Sequence, residues 1–374
     1  MSKFYKIALS ALLLSASALT SVAQTMTFTT AAPVGTEVKF QPLTTSATLS
    51  FSVDWGNGVE VKYTSDPKQA AYTRWVTGTV EGETIVVKGA CIKEFTFTEA
   101  QLTSAEITGM ANLTKLDLGE NELTSFMLLD FSPLESLDVA HNKLQNSPTN
   151  NPTLSLENCA STLTDLNVSY NTDLQCMDIR DLTNLVYFTA NDCPQMASVF
   201  ICMPEDSREA LRSINLDNCS LSNFYPVTLP NLRTLSLRHN NLMTSGTDQP
   251  FVMGTYPELT RLDVAENPHV GALDVTKCPK LEQLYISDCS FERIDVSQCP
   301  ELLNLSASNN KLRSIDIGNN KKLSSIYVAG NPMTELDIKD HTVLKSISIS
   351  NTDISRLELH KLFYLNTLEA ANTK

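Results

Sequence analysis

Asp117 and Asp138, twenty-one residues apart, are the first residues whose type and spacing suggest chemistry. The chain around them repeats with that period, so both fall at one step of neighbouring turns. They then face each other at about 5 Å, the spacing of a retaining glycosidase pair. Stacking gives that spacing to any two acids at this step, and an open face offers no pocket to exclude water. The pair reads as polar surface rather than catalytic machinery. His141, His239, His269, His341 and His360 form no H-E-x-x-H motif and no spaced ligand set. There is no C-x-x-C among the nine cysteines, which leaves zinc ribbons and thioredoxin-type redox chemistry unsupported. No Gly-rich phosphate loop is present. A second acidic column, Asp274, Asp295, Asp316, Asp337 and Glu358, has the charge to attract calcium, but a solvated, turn-forming edge is the better reading. No catalytic residue, metal or cofactor is expected.

Elements that position these residues are clearest from Leu281 to Tyr364. Cut every 21 residues, this stretch gives four lines in register, with apolar residues at positions 1, 4, 6, 11, 14 and 16. Position 9 holds Cys289, Asn310, Asn331 and Thr352. Such self-similarity, with L-x-x-L-x-L-x-x-N/C-x-L inside it, is the leucine-rich-repeat pattern. Thirteen repeats begin at Ile92, Leu113, Leu134, Leu163, Leu185, Leu211, Leu232, Leu259, Leu281, Leu302, Leu323, Leu344 and Leu365. An inward Asn at position 9 can hydrogen-bond turn backbone that would otherwise be buried without partners. Cys193, Cys219 and Cys289 share that column, and Cys278 and Cys299 fall at matching later steps, so all five read as buried structural thiols. Cys91, Cys159, Cys176 and Cys202 are less fixed, and one pair among them is a candidate disulfide. Three insertions, Gln145–Thr162, Ala197–Ala210 and Met243–Glu258, each follow position 11 and leave the strand face intact.

In each repeat positions 4 and 6 point inward, so positions 3, 5, 7 and 8 are displayed. Thirteen strands ~4.8 Å apart make a strip of roughly 60 Å. Its first third is acidic (Glu94, Glu99, Asp117, Glu120, Asp138 and Asp165, against Lys115). Its middle holds Tyr170, Tyr187, Arg238, His239 and Arg261, and its last third carries Tyr285 and Tyr327 among Asn and Ser. Tyr and Arg are enriched at energetic hot spots because they bury much area and keep a polar tip. These seven residues are the candidate binding site, although a Tyr on an exposed strand also simply suits β structure.

The segment 1–23 has Lys3 and Lys6, the apolar run Ile7–Leu14 and small residues Ser21 and Ala23, as a secretory signal peptide does. Residues 24–90 do not follow the repeat. They alternate as strands over Thr36–Phe40, Thr48–Val53, Val59–Tyr63 and Thr84–Lys88, with a tight hairpin expected at Asp54–Gly58. This reads as a small β-sandwich-like, immunoglobulin-like cap domain covering the first turn of a solenoid over 91–374. The final repeat stops at Lys374 with no polar cap after it, which reads either as an edge that a partner covers or as a ragged boundary. The net charge is −14, and −16 without the two leader lysines. That acidity argues against nucleic acid and against an anionic membrane surface; membrane insertion is not expected either.

The repeats over 92–374 resemble the short leucine-rich repeats of secreted bacterial proteins, of the internalin-like kind with 21-residue units and an N-terminal β cap. The resemblance implies a mainly β or α/β-type solenoid, a right-handed curved superhelix with a parallel inner sheet. It also implies a non-enzymatic recognition protein, secreted, periplasmic or at the cell surface, that binds a protein partner across that sheet. The alternatives are a carbohydrate-binding accessory protein, with Tyr285 and Tyr327 as stacking platforms around Ser306, and a structural surface-assembly component.

Overall fold

The structure, a computed structural model, describes residues 24–45, 50–64, 73–146, 153–201, 208–224, 228–243 and 254–374. The leader, Cys202 and the central parts of all three insertions lie outside the described residues. Among the described residues six strands precede the repeats: β1 (Thr25–Thr30), β2 (Glu37–Thr44), β3 (Ser50–Asp54), β4 (Glu60–Thr64), β5 (Val76–Thr79) and β6 (Thr84–Lys88). Alternation of apolar and polar residues sends Met26, Phe28 and Thr30 of β1 and Val38 and Phe40 of β2 inward. The two sheets they form run on into the repeats. β1 pairs antiparallel with Leu102–Thr108, and β2 pairs antiparallel with Ile92–Thr96, the first repeat strand. The open end of the solenoid is thereby covered by aromatic packing. Phe40 lies 4.8 Å from Phe95 between ring centroids, and Phe28 lies 5.7 Å from Phe95 and 5.3 Å from Phe97.

The β3–β4 hairpin is present, but its loop is longer than a two-residue turn. Asp54 pairs with Glu60, and the Asp54 Oδ1 accepts from the amides of Gly56 (2.9 Å) and Gly58 (3.0 Å). The positive φ angles belong to Gly56 and Gly58, not to Asn57. Gly56 must be glycine for a second reason, since a Cβ there would meet the Gly82 backbone at 2.4 Å.

Thirteen three- to five-residue strands, one per repeat, stack in parallel and join β2 and β5 in a fifteen-stranded sheet. In most of them the central residue is buried between two partly exposed ones, as in Gln283–Tyr285 and Asn304–Ser306, whereas the last, Thr367–Glu369, is exposed along its whole length. Residues of positions 1, 4, 6, 11, 14 and 16 fill one continuous core, for instance Leu281, Leu284, Ile286, Phe291, Ile294 and Val296. The parallel ladder crosses all three insertions unbroken. No α-helix occurs among the described residues; Glu157–Cys159 forms a single 3-10 turn. The α/β-type form of the expected fold is therefore not realised. Apolar positions 14 and 16 are two residues apart, the period of extended chain rather than of a helix.

Asparagines at position 9 tie successive turns together. Asn310 Nδ2 donates to the carbonyls of Ile286 (2.8 Å), Ala307 (3.2 Å) and Ser308 (3.1 Å), while Oδ1 accepts from the Phe291 amide (3.0 Å). Asn121, Asn142, Asn171, Asn240, Asn267 and Asn331 make the same set, each reaching the position-11 amide of the turn before. Cysteine replaces asparagine only where that amide needs no acceptor. Before Cys193, Cys219 and Cys289 the turn is one residue wider after position 9. There the amides of Leu174, Met196 and Val270 bond carbonyls of their own turn, those of Asn171, Cys193 and Asn267. The thiol supplies only the remaining donor, from Cys289 Sγ to Val264 O at 3.3 Å. Cys91, Cys159 and Cys176 are free and buried, so no disulfide joins them. Burial pushes the thiols of Cys159, Cys219, Cys278 and Cys289 up to about 12.

Candidate functional site on the inner sheet

Strand positions 3 and 5 project from the sheet, and position 8 follows where the chain leaves it. Every position-8 residue, from Glu99 to Asn372, has a positive φ, between 53° and 69°. The left-handed region tolerates Asn, Asp, Gly and His better than other residues, which is what Asp192, Asn218, Asp288, Asn309, Gly330 and Asn351 provide. His141 and His239 therefore have a backbone reason to stand there. Tyr170 does not, and neither do Glu99, Glu120 and Glu266.

A hollow of roughly 350 Å³ opens on the acidic part of the face, lined by Asp117, Asp138, Asn167, Glu120, His141 and Tyr170 among others. Asp117 and Asp138 are register partners on adjacent strands. Each Oδ1 accepts the amide two residues on, Gly119 at 3.1 Å and Ala140 at 2.9 Å, and Asn167 Nδ2 donates to Asp138 Oδ2 at 2.9 Å. Burial, then the charge of Asp138, raises the Asp117 carboxyl above its ordinary value. The rings of His141 and Tyr170 stack with centroids 4.0 Å apart. A hydrogen bond to Asp192 pushes the Tyr170 hydroxyl up.

Arg238, His239, Arg261 and Tyr285 come together on three further turns. Arg238 pairs with Glu266, whose other oxygen lies 2.7 Å from His239 Nδ1. These contacts, the His239 bond first, hold Glu266 below the usual carboxylate range. Arg261 lies 4.3 Å above the Tyr285 ring, donates to Gln283 Oε1 at 2.9 Å and reaches the buried Asp263 at 3.3 Å. Burial raises Asp263 above its ordinary value. Tyr187 stands apart and half exposed. Tyr327 lies two strands beyond Tyr285 with Ser306 between them. One face of Tyr285 is thus already occupied, and of these two tyrosines only Tyr327 presents a ring without a cation over it.

The second acidic column does backbone work. Asp274, Asp295, Asp316 and Asp337 each accept the amide two residues on, at 2.8 to 3.2 Å. Side-chain hydrogen bonds from Thr276, Ser297 and Lys339 hold Asp274, Asp295 and Asp337 below the usual range. Among the described residues no group of His, Cys, Asp or Glu is arranged to hold a metal ion. The positive-φ column and the Asp192 contact to Tyr170 were missed from sequence. The recurrence of Asn, Asp and Gly at position 8 was the available signal.

No protein-family model and no curated protein matches the sequence. Among solved structures, the functional domain of InlJ from Listeria monocytogenes, which includes a cysteine ladder, is similar at 20% identity with a TM-score of 0.58. The match covers 79% of this chain and 66% of that one. The leucine-rich-repeat protein LIC12759 from Leptospira interrogans gives 18% identity and a TM-score of 0.50, over 71% of this chain and 62% of that one. This chain thus spans a little under two thirds of the length of each. With thirteen stacked turns, a parallel sheet and a position-9 ladder, the chain has the leucine-rich-repeat solenoid fold, similar to that of the internalin domain.

Proposed function

We propose that this protein is an exported recognition scaffold that binds a protein partner on the inner face of its sheet. One observation carries this reading. The solvent face is a continuous surface of thirteen strands, held by the position-9 ladder, from which Tyr187 (51% exposed), His239 and Tyr327 project. Aromatic side chains on a rigid scaffold bind at low entropic cost, because little needs to be ordered on association. The similar solved structures are leucine-rich-repeat proteins, which fits a scaffold role.

The test compares capture by residues 24–374 with capture by a Tyr187→Ala, His239→Ala, Tyr327→Ala variant. Arg261 is left in place because Asp263 is buried beside it. Partner lost with the variant supports the reading. Equal capture by both moves recognition to the insertions or to β1–β6. Export itself is tested by mass spectrometry of the mature N-terminus, expected at Gln24.

A further inference from the structure

The inner face is divided by charge. Over the first six turns positions 3, 5, 7 and 8 carry Glu94, Glu99, Asp117, Glu120, Asp138, Asp165, Asp192 and Asp217, against a single cation, Lys115. None of the eight carboxylates is fully buried, and among the described residues the one ion pair that these side chains make is His141 with Glu120 at 3.5 Å. On the next two turns the balance changes. Arg238 and His239 share Glu266, and Arg261 is matched by Asp263 and the Tyr285 ring. Apart from Lys115, which stands beside Asp117, the cations of this face are spent on their own neighbours, and one lysine leaves most of the eight carboxylates of the acidic half without positive charge.

The acidic half is also shaped for it. Backbone amides fix Asp117 and Asp138, and Asn167 fixes Asp138 further, so neither carboxylate has much rotamer freedom to lose. They stand side by side in the hollow whose other wall is the His141–Tyr170 stack. A cation there gains two carboxylates and an aromatic face together. A planar guanidinium suits that arrangement better than a sphere, since it can donate to both acids while lying on a ring.

We propose that the acidic half of the inner face seats a basic segment of the protein partner, with an arginine side chain entering the hollow between Asp117 and Asp138 against the His141–Tyr170 stack. This rests on the inner-face reading above and names the chemistry of its ligand. The neutral half, rich in Ser and Asn, then takes the uncharged part of the same partner.

The probe is a blocked peptide, acetyl-Gly-Arg-Gly-Arg-Gly-amide, titrated calorimetrically into residues 24–374, with glutamate and serine versions as controls. The arginine peptide alone is expected to bind. Asp117→Asn with Asp138→Asn is expected to weaken it at least tenfold, whereas Glu335→Gln with Glu358→Gln on the outer edge leaves it within twofold. Circular dichroism confirms that both variants fold. Equal losses from the two pairs mean diffuse attraction to an acidic protein and overturn the proposal, as does no loss from the inner pair. The captured partner separates this from the broader reading. Capture abolished by the Tyr187, His239, Tyr327 substitutions but untouched by the Asp117, Asp138 pair keeps the inner face and sinks the basic segment.

Discussion

Exchanging the two residue types of the position-9 ladder tests why each stands where it does. In Asn310→Cys the thiol keeps a weak donor, as Cys289 does toward Val264 O. It cannot accept from the Phe291 amide, which Asn310 Oδ1 now holds at 3.0 Å inside the core. A buried amide left without a partner costs about 1–3 kcal/mol, and the two weakened carbonyl contacts add roughly 0.5–1 kcal/mol each. The expected loss is therefore about 2–5 kcal/mol. Cys289→Ala faces a different preceding turn, because the Val270 amide already bonds Asn267 O at 3.0 Å. Its loss is that of a small thiol and one weak donor, about 1 kcal/mol. Urea unfolding followed by circular dichroism ranks the two, and hydrogen exchange at Phe291 localises the effect. Long repeat arrays can unfold in parts, so the amide measurement carries the decision. If Asn310→Cys costs no more than Cys289→Ala, or leaves Phe291 exchange unchanged, the account of the ladder is wrong.

Other expectations follow from single sites. Gly330 has φ +69° and a Cβ there would meet Asn309 Oδ1 at 2.3 Å, so Gly330→Ala should cost about 1–2 kcal/mol in urea unfolding. His341 is buried, and burial lowers its pKa although Nε2 lies 3.0 Å from Ile317 O. The unfolded chain then binds the proton more readily, so this contribution to stability is intact above the unfolded histidine range and falls as pH drops through it toward the lowered folded pKa. His341→Leu, the residue type of Leu362 one turn on, should flatten that slope in unfolding midpoints measured across pH. With Cys193 and Cys299 pushed up to about 11 and four others to about 12, these six thiols should resist labelling at pH 8 until urea is added. Labelling of Cys289 in the folded protein would contradict the burial assigned to it.

The fold was legible because a solenoid writes its core directly into sequence. Leu284, Leu305, Ile326 and Ile347 recur every 21 residues and stack as neighbours, so no long-range pairing had to be guessed. Backbone needs were harder to see. Asn310 and Asp316 look alike as polar residues, yet one spans two turns and the other caps its own. Position 8 was read for the side chains it displays, when its first demand is a left-handed backbone. The pairing of Arg238 with Glu266 and of Arg261 with Tyr285 was likewise hidden. It depends on rotamers across turns, which apolar periodicity does not encode.

The most direct measurement of inner-face recognition places one photo-crosslinking residue at Thr189, mid-sheet on the inner face, and in a second protein at Asn319 on the outer side. A covalent adduct with the captured partner is expected from Thr189 and none from Asn319. An adduct from Asn319 with none from Thr189 would contradict inner-face recognition.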